Sequence, residues 1–288
     1  MRILIFGTQG QLGTCLVPML SDHTLITPTL EEVDFTRANT ITSAIRSSNA
    51  DYIINLAAYT AVDKAESQQE LADAINHLAV AEIARACRDL ELPLLQISTD
   101  FVFSGTQSTP YQPTDTCAPL SCYGLTKCAG EQAILELDLP NYVIVRTAWL
   151  YSDVGANFLL TMLRLMNERK LLNVVADQIG TPTSAYSLSA AIQRFVELPS
   201  GGIYHWTDAG AASWYDFAVA IYEEALIRNL VPPGVQIYPI SSAEYPTPAK
   251  RPSYSVLDKS ATYAALDMQP IHWREQLRQV LDHIAGRS

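Results

Sequence analysis

Tyr123 and Lys127 stand four residues apart in the run 123–127, whose sequence is YGLTK. On a helix, positions i and i+4 share one face, so the phenol and the ammonium can point into the same pocket. A tyrosine with an ordinary pKa of about 10 is a poor acid–base group at neutral pH, and a nearby cation lowers that pKa by favouring the phenolate. The pair therefore predicts a tyrosine that exchanges a proton with a substrate while the lysine assists it.

Thr99 and Asp100 close the short apolar segment 93–98, which has the character of a buried strand. In an open α/β sheet, ligands bind at the carboxyl ends of the strands, and this is where both side chains fall. The hydroxyl of Thr99 can bond to a substrate carbonyl beside Tyr123. The alternative is that Thr99 and Asp100 only cap a loop or a short helix.

A glycine turn follows the first apolar run, with Gly7, Gly10 and Gly13 in the sequence GTQGQLG. Glycines let the backbone turn sharply, approach a diphosphate closely and pack the following helix on the strand. The helix N-terminus then faces the anion. A strand before the turn and a helix after it predict a dinucleotide site, while a glycine turn without a ligand is the structural alternative.

The remaining cofactor contacts are less sharply defined by the sequence. Positions 26–30 carry neither an acid nor an arginine at the end of the second strand, so NADH and NADPH both remain open. The sequence further predicts cofactor contacts from the start of the first helix, from a carboxylate and a ring beside the adenine, and from a run after the third strand. These residues are Gln11 and Leu12, Asp34 and Phe35, and Ala57, Ala58, Tyr59 and Thr60.

The elements that must position these residues alternate along the first half of the chain. Short apolar runs predict strands at 2–6, 24–28, 52–55, 93–98 and 142–146, and helical spacing predicts helices at 12–20, 40–47, 70–90 and 123–137. This pattern indicates an α/β fold, a Rossmann-type doubly wound parallel sheet with a smaller C-terminal α/β substrate lobe. We expect the cofactor domain at 1–148, with segment 177–198 as a possible addition, and the substrate lobe at 149–288.

Composition excludes several classes of protein. The formal net charge of −11 argues against nucleic acid as a partner, because phosphate binding needs a basic face. No apolar run has the roughly 18 residues of a membrane span. The five cysteines form no CxxC pair, so neither a disulfide framework nor a zinc ribbon is indicated. Together with an N-terminus that begins as a strand, these features predict a cytoplasmic protein.

Longer phrases add to the motifs and carry a family resemblance. They are 55–66 (NLAAYTAVDKAE), 98–103 (STDFVF), 146–151 (RTAWLY), 177–183 (DQIGTPT) and 251–257 (RPSYSVL). With the glycine turn and YxxxK, they resemble the extended short-chain dehydrogenase/reductases, and within them the dTDP-4-dehydrorhamnose reductase family. The likeness covers essentially the whole chain.

The resemblance implies an oxidoreductase that uses NADPH or NADH to reduce the 4-keto group of dTDP-4-dehydro-L-rhamnose. It implies Tyr123 as the proton donor and Lys127 as the residue that lowers its pKa and holds the nicotinamide ribose. Thr99 and Asp100 would bind the sugar, and Trp149 would lie against its apolar face. We add Arg251 as a contact to the dTDP-sugar diphosphate, because a guanidinium suits phosphate geometry; the alternative is a surface charge.

Two departures from the family pattern bear on these expectations. Phe101 stands where the family usually has tyrosine, so any hydrogen bond of that hydroxyl is lost. Some members join subunits through a magnesium ion on glutamates, but the matching position here is Cys15, and a hard cation needs oxygen ligands. We therefore expect no metal site and a monomer or a metal-free homodimer. Two alternatives remain: a nucleotide-sugar epimerase or dehydratase of the same fold, and a cofactor-binding regulatory subunit without catalysis.

Overall fold

The computed structural model describes residues 1–198 and 201–287. The strands are β1 (Arg2–Phe6), β2 (Thr24–Ile26), β3 (Tyr52–Asn55), β4 (Leu94–Thr99), β5 (Tyr142–Thr147), β6 (Leu150–Tyr151), β7 (Leu171–Val175), β8 (Ile179–Gly180), β9 (Thr183–Ser184), β10 (Gly202–His205), β11 (Ala212–Ser213) and β12 (Gln236–Ile240). The helices are α1 (Gln11–Met19), α2 (Ala38–Ser48), α3 (Val62–Ala65), α4 (Gln69–Asp73), α5 (Ala79–Asp89), α6 (Cys122–Glu136), α7 (Phe158–Glu168), α8 (Ala185–Glu197), α9 (Trp214–Ile227), α10 (Ser260–Leu266) and α11 (Trp273–Ala285).

The central sheet of the described chain has six strands in the order β10-β5-β4-β3-β1-β2, and every neighbouring pair is parallel. The strand order reverses between β1 and β3, which is where a doubly wound sheet opens a ligand crevice. The predicted Rossmann-type fold is confirmed, and the five predicted strands are present. The sixth strand, β10, was not predicted.

Alternation along the strands explains why helices cover both faces of this sheet. In β1, Ile3 and Ile5 belong to a buried cluster with Leu188 of α8, whereas Leu4 and Phe6 belong to one on the other side of the sheet. Because both faces of the central strands are buried, their sequences are almost entirely apolar. The sheet edge at the strand carboxyl ends is then left to carry polar side chains.

The helix predicted at 70–90 is instead α4, a π-helical turn at Ala74–Leu78, and α5. Asn76 lies in this turn, and its carbonyl is so close to α6 that a Cβ on Gly130 would lie 2.3 Å from it. A π turn widens the helix by one residue and often occurs at functional sites. Here it brings the Asn76 side chain between the helix that carries Tyr123 and the loop after β3.

The second half of the chain contributes to two cores. Leu163 of α7, Phe217 of α9 and Leu277 of α11 share a core with β7, while α8 packs on α1 and β10 returns to the central sheet. Segments from both sides of residue 148 therefore build that sheet, and the division into 1–148 and 149–288 stays a prediction from sequence. No helix in the described part of the chain is both long and apolar enough to span a bilayer.

Candidate active site

The backbone of the glycine turn, residues 7–13, forms a concave surface that side chains at its glycines would fill. We call this surface the glycine cradle. Gly7 has φ of +82°, and a Cβ there would lie 2.6 Å from the nitrogen of Ala57. A Cβ on Gly13 would lie 2.3 Å from Cα of Thr8, so α1 packs directly on the turn. Gly10 precedes α1, and the described residues supply no side-chain cap there. The first amides of α1 are therefore available to an anion, which fits a dinucleotide diphosphate.

Gln11 and Leu12 follow the turn but have different surroundings. The side chain of Gln11 donates from Nε2 to the carbonyl of Leu150 at 3.2 Å, and its Oε1 accepts from Asn157 Nδ2 at 3.3 Å. Gln11 thus joins the glycine turn to the segment after β5. Leu12 is buried in the core, so only its backbone is free for a cofactor.

The loop after β3 passes beside the glycine turn and is held by two buried asparagines. Asn55 Oδ1 accepts from the amide of Ala57 at 3.1 Å. Asn76 accepts from the amide of Tyr59 at 2.8 Å and donates to its carbonyl at 3.1 Å and to Thr126 Oγ1 at 3.2 Å. The predicted cofactor residues 57–60 are therefore fixed against both the turn and the helix that carries Tyr123.

Asp34 and Phe35 lie beyond β2 and differ in exposure. Asp34 accepts from the amide and hydroxyl of Thr36 at 2.9 and 2.7 Å, and these bonds lower the pKa of its carboxyl. The ring of Phe35 is buried and packs edge-on against Phe6, with 5.5 Å between ring centroids. Of the pair predicted beside the adenine, only Asp34 presents a partly exposed side chain.

Tyr123 and Thr99 come together at the carboxyl edge of the sheet. Ser121 caps α6 by accepting from the amide of Gly124, which starts the helix one residue before Tyr123. The ring of Tyr123 packs edge-on against Phe101 at 5.6 Å between centroids, and the amide of Phe101 donates to Thr99 Oγ1 at 3.2 Å. Thr99 is near enough to lower the pKa of the phenol as a hydrogen-bonding neighbour. The structure therefore brings the predicted proton donor and the predicted carbonyl ligand to the same point of the sheet edge.

The pKa of Tyr123 differs from the sequence-based expectation. Burial raises it to about 12 and the neighbouring Asp100 also raises it, against the lowering effect of the Thr99 hydrogen bond. The expected lowering by Lys127 is wrong for the chain without its cofactor. Lys127 is buried and donates from Nζ to the carbonyl of Ile97 at 2.6 Å. Its own pKa falls to about 8 because burial disfavours the charge, while Glu131 partly opposes that fall.

Asp100 is a buried carboxyl beside the reacting groups. Thr99 Oγ1 donates to its Oδ1 at 3.0 Å, and its Oδ2 is buried without a hydrogen-bond partner among the described residues. Burial raises the pKa of Asp100 to about 6, and the nearby polar side chains of Ser255 and Thr99 limit the rise. At neutral pH the group is mostly charged and can accept a hydrogen bond from a sugar hydroxyl.

Sequence reasoning missed the buried ion pair that supports this edge. Arg146 of β5 contacts Glu131 of α6 at 2.6 Å, both side chains are at most 3% exposed, and Ser98 also donates to Glu131. The pair lies one helical turn beyond Lys127 and ties α6 to β4 and β5. The available signal was a single arginine inside the apolar run 142–147, which only a buried partner can accommodate.

Trp149 lies at the same edge, since Thr147 pairs in register with Thr99 and the indole follows two residues later. Its backbone has φ of +47°, and its ring stacks on Trp214. Trp214 was not among the predicted site residues. It is the first residue of α9, and nothing in its local sequence marks it as a site residue.

Arg251 is not a free cation. Its guanidinium contacts Asp63 through Nη2 at 2.8 Å and Nη1 at 3.1 Å, and Nη1 also donates to Thr247 Oγ1 at 2.5 Å. The carboxylate of Asp63 therefore already neutralises Arg251, and the contact of Arg251 to the dTDP-sugar diphosphate stays a prediction. Lys250, the residue before Arg251, is exposed.

Cys15 is buried and lies near Asp153. Burial and the nearby Asp153 raise its pKa to about 11, so the thiol stays protonated. Asp153 is paired with Arg287 at 2.8 Å. Within residues 1–198 and 201–287, no three His, Cys, Asp or Glu side chains are grouped to hold a metal. The predicted oligomeric state is not tested by this arrangement.

Comparisons with known proteins identify the family of this chain. The family model described as the RmlD substrate binding domain matches residues 1–285. A protein of Aggregatibacter actinomycetemcomitans named dTDP-4-dehydrorhamnose reductase is 38% identical, with 97% of this chain and 98% of that protein covered. The protein of the same name from Salmonella typhimurium is 36% identical, with coverage of 98% and 97%.

Solved structures show the same relationship. The dTDP-4-dehydrorhamnose reductase of Bacillus anthracis, in complex with NADP, has a TM-score of 0.92 at 34% identity, with 98% of this chain and 99% of that chain covered. The ortholog from Clostridium acetobutylicum has a TM-score of 0.92 at 37% identity, covering 99% of both chains. A UDP-glucose 4-epimerase of Thermus thermophilus, in complex with NAD, is only 19% identical and shares the fold at a TM-score of 0.82. The chain is therefore a member of the dTDP-4-dehydrorhamnose reductase family.

Proposed function

We propose that this chain reduces the 4-keto group of dTDP-4-dehydro-L-rhamnose to give dTDP-L-rhamnose, with NADPH or NADH as the hydride source. One observation carries the proposal: Tyr123 and Thr99 lie together at the carboxyl edge of the sheet, joined through Phe101, and β1 of the same sheet leads into the glycine cradle. Relatives that match nearly the full length carry the name of this reaction, and one of their structures contains NADP.

The residues at this edge divide the work of the reduction. A reduced nicotinamide dinucleotide, held by the glycine cradle and Lys127, would supply the hydride for the carbonyl carbon of the sugar. Tyr123 gives its hydroxyl proton to the carbonyl oxygen as charge develops there, and Thr99 holds that oxygen in position. A pKa of about 12 keeps Tyr123 protonated at neutral pH, as a proton donor requires.

Lys127 and the glycine cradle serve the cofactor. The ammonium of Lys127 is fixed at the carbonyl of Ile97, and its remaining protons are available to the ribose hydroxyls next to the nicotinamide. Gly7, Gly10 and Gly13 admit the diphosphate, and the loop 57–60 borders it. The absence of an acid or arginine at 26–30 leaves the choice between the two cofactors to measurement.

The sugar binds between Asp100 and Trp149 in this proposal. The unpartnered Oδ2 of Asp100 is a buried acceptor for a hydroxyl, and the indole offers a flat apolar surface to a deoxyhexose. The proposal places the reaction in the cytoplasm, which suits the free cysteines, and on a monomer or a metal-free homodimer.

The test is to compare the wild-type chain with Tyr123→Phe and Phe101→Leu. Purified protein is mixed with dTDP-4-dehydrorhamnose and each reduced cofactor, and loss of nicotinamide absorbance is followed. We expect Tyr123→Phe to lose at least about 100-fold in kcat, the usual contribution of a general acid. Its cofactor affinity should stay close to wild type. The matched control Phe101→Leu removes the ring next to Tyr123 without removing a proton donor, and it should keep most turnover.

Three results would contradict the proposal. Near-normal turnover in Tyr123→Phe would exclude Tyr123 as the proton donor. Conversion of substrate without net consumption of cofactor would favour an epimerase or dehydratase, in which the hydride returns. Cofactor binding without any turnover in the wild-type chain would favour a regulatory subunit.

A further inference from the structure

Two indoles form a stack at the edge of the proposed sugar site. The rings of Trp149 and Trp214 lie 3.6 Å apart between centroids, with 7° between their planes. Trp149 reaches this arrangement with a left-handed backbone, φ +47°, which is costly for a bulky residue. Such a conformation persists only where the surrounding structure holds it, and residues that hold active-site groups often show this kind of strain.

Gly180 provides the first of these restraints. A Cβ on Gly180 would lie 2.6 Å from Cε2 and 2.7 Å from Nε1 of Trp149, so the indole lies directly on the glycine backbone. The amide of Thr183, three residues later, donates to the carbonyl of Trp149 at 3.1 Å. The segment 180–183 therefore fixes both the ring and the backbone of Trp149.

Trp214 provides the second restraint and is itself held from three directions. It is the first residue of α9, whose N-terminus is fixed by a capping box between Ser213 and Asp216. Its Nε1 donates to Gln178 Oε1 at 3.2 Å. Its ring lies 4.7 Å from that of Phe158, measured between centroids. Trp214 is therefore a fixed surface against which Trp149 rests.

We propose that Trp214 and Gly180 are positioning residues that hold Trp149 as a preformed surface for the sugar of the substrate. The inference rests on the proposed function, in which Trp149 contacts the deoxyhexose. A ring fixed before binding spares the cost of ordering it in the complex, so its contribution appears in substrate affinity. The contacts that hold the stack come from segments 178–183 and 213–216 and from Phe158, so we expect the stack to contribute little to cofactor binding.

The kinetic test uses Trp214→Leu and Gly180→Ala. We expect each to raise the KM for the sugar nucleotide by about 10-fold, the scale of one well-placed aromatic contact. The KM for the reduced cofactor should change little. Trp273→Phe is the matched control, because Trp273 is buried in the same lobe and touches Phe217 at 5.8 Å between centroids. The conservative Trp214→Phe keeps a stacked ring and should restore most of the affinity.

Circular dichroism gives an independent readout. Two stacked indoles couple their transitions, so the wild type and Trp273→Phe should show an exciton couplet that Trp214→Leu lacks. Trp149→Leu is the reference that separates the two proposals. If it leaves the sugar KM unchanged, the proposed placement of the sugar is wrong. If it raises that KM while Trp214→Leu and Gly180→Ala do not, the positioning inference is overturned. Equal effects of Trp214→Leu and Trp273→Phe on both KM values would also overturn it.

Discussion

Gly13 and Gly10 allow the packing role of the glycine turn to be separated from its role in binding. Gly13→Ala would place a Cβ 2.3 Å from Cα and 2.5 Å from the carbonyl oxygen of Thr8, both backbone atoms that cannot rotate away. Carbon atoms in contact need about 3.5 Å, so α1 must move off the turn by more than about 1 Å. Gly10→Ala meets only the carbonyl oxygen of Gly7 at 3.4 Å, and its φ of −77° suits any residue.

These geometries predict different effects of the two substitutions on the stability of the cofactor-free protein. Overpacking at Gly13 costs about 1–3 kcal/mol, and the better helix propensity of alanine returns up to about 1 kcal/mol. A net loss of this size lowers Tm by a few degrees at about 2–4 °C per kcal/mol. Gly10→Ala should change the stability by less than about 0.5 kcal/mol, as for an unhindered surface position.

Both variants should bind the cofactor at least about 10-fold more weakly, since about 1.4 kcal/mol of phosphate contact suffices for that loss. Fluorescence titration with NADPH measures the affinity, and thermal unfolding with and without NADPH measures the stability. If Gly10→Ala bound NADPH as tightly as the wild type, the diphosphate would not lie over that backbone. An unchanged Tm for Gly13→Ala would show that the helix and the turn are not packed as described.

Two further predictions concern the titration of Lys127 and Asp100 and the ion pair between Asp63 and Arg251. The pKa of Lys127 is lowered to about 8, so kcat/KM for the cofactor should fall above that pH as the ammonium loses its proton. The pKa of Asp100 is raised to about 6, so kcat/KM for the sugar nucleotide should fall below that pH as the carboxylate gains a proton. In pH–rate profiles, Asp100→Asn should remove only this fall on the acid side. Asp63→Asn should weaken sugar-nucleotide binding if the ion pair with Arg251 holds the C-terminal segment in place. It should leave binding unchanged or stronger if Arg251 serves the diphosphate, and a double-mutant cycle with Arg251→Met distinguishes these outcomes.

Local signals in the sequence were sufficient for the central strands and the glycine turn. Strands β1, β3, β4 and β5 are buried on both faces, so their apolar runs stand out from their surroundings. Strand β10 begins at the second glycine of a pair and contains only Gly202–His205, a run too short to be recognised by pattern. It pairs with β5, about sixty positions earlier, and only the completed sheet can show that contact.

The site divides in the same way between local and long-range information. Tyr123 and Lys127 share a helix, and Thr99 ends a strand, so their convergence follows from spacing and fold class. The partners of Arg251 and Trp149, which are Asp63 and Trp214, are distant in sequence and carry no mark of pairing. From the sequence alone, an arginine that forms a structural ion pair cannot be distinguished from an arginine that binds phosphate.

The environment of Tyr123, rather than the YxxxK spacing, suits the chain to reduction. The same spacing can support a phenolate that removes a proton or a phenol that gives one, because the two directions differ only in protonation. Burial and the charge of Asp100 raise the pKa of Tyr123, and Lys127 is turned to the carbonyl of Ile97. A phenol in these surroundings keeps its proton until a stronger base appears. The alkoxide that forms as hydride reaches the carbonyl carbon is such a base, so proton transfer follows the charge that the hydride creates.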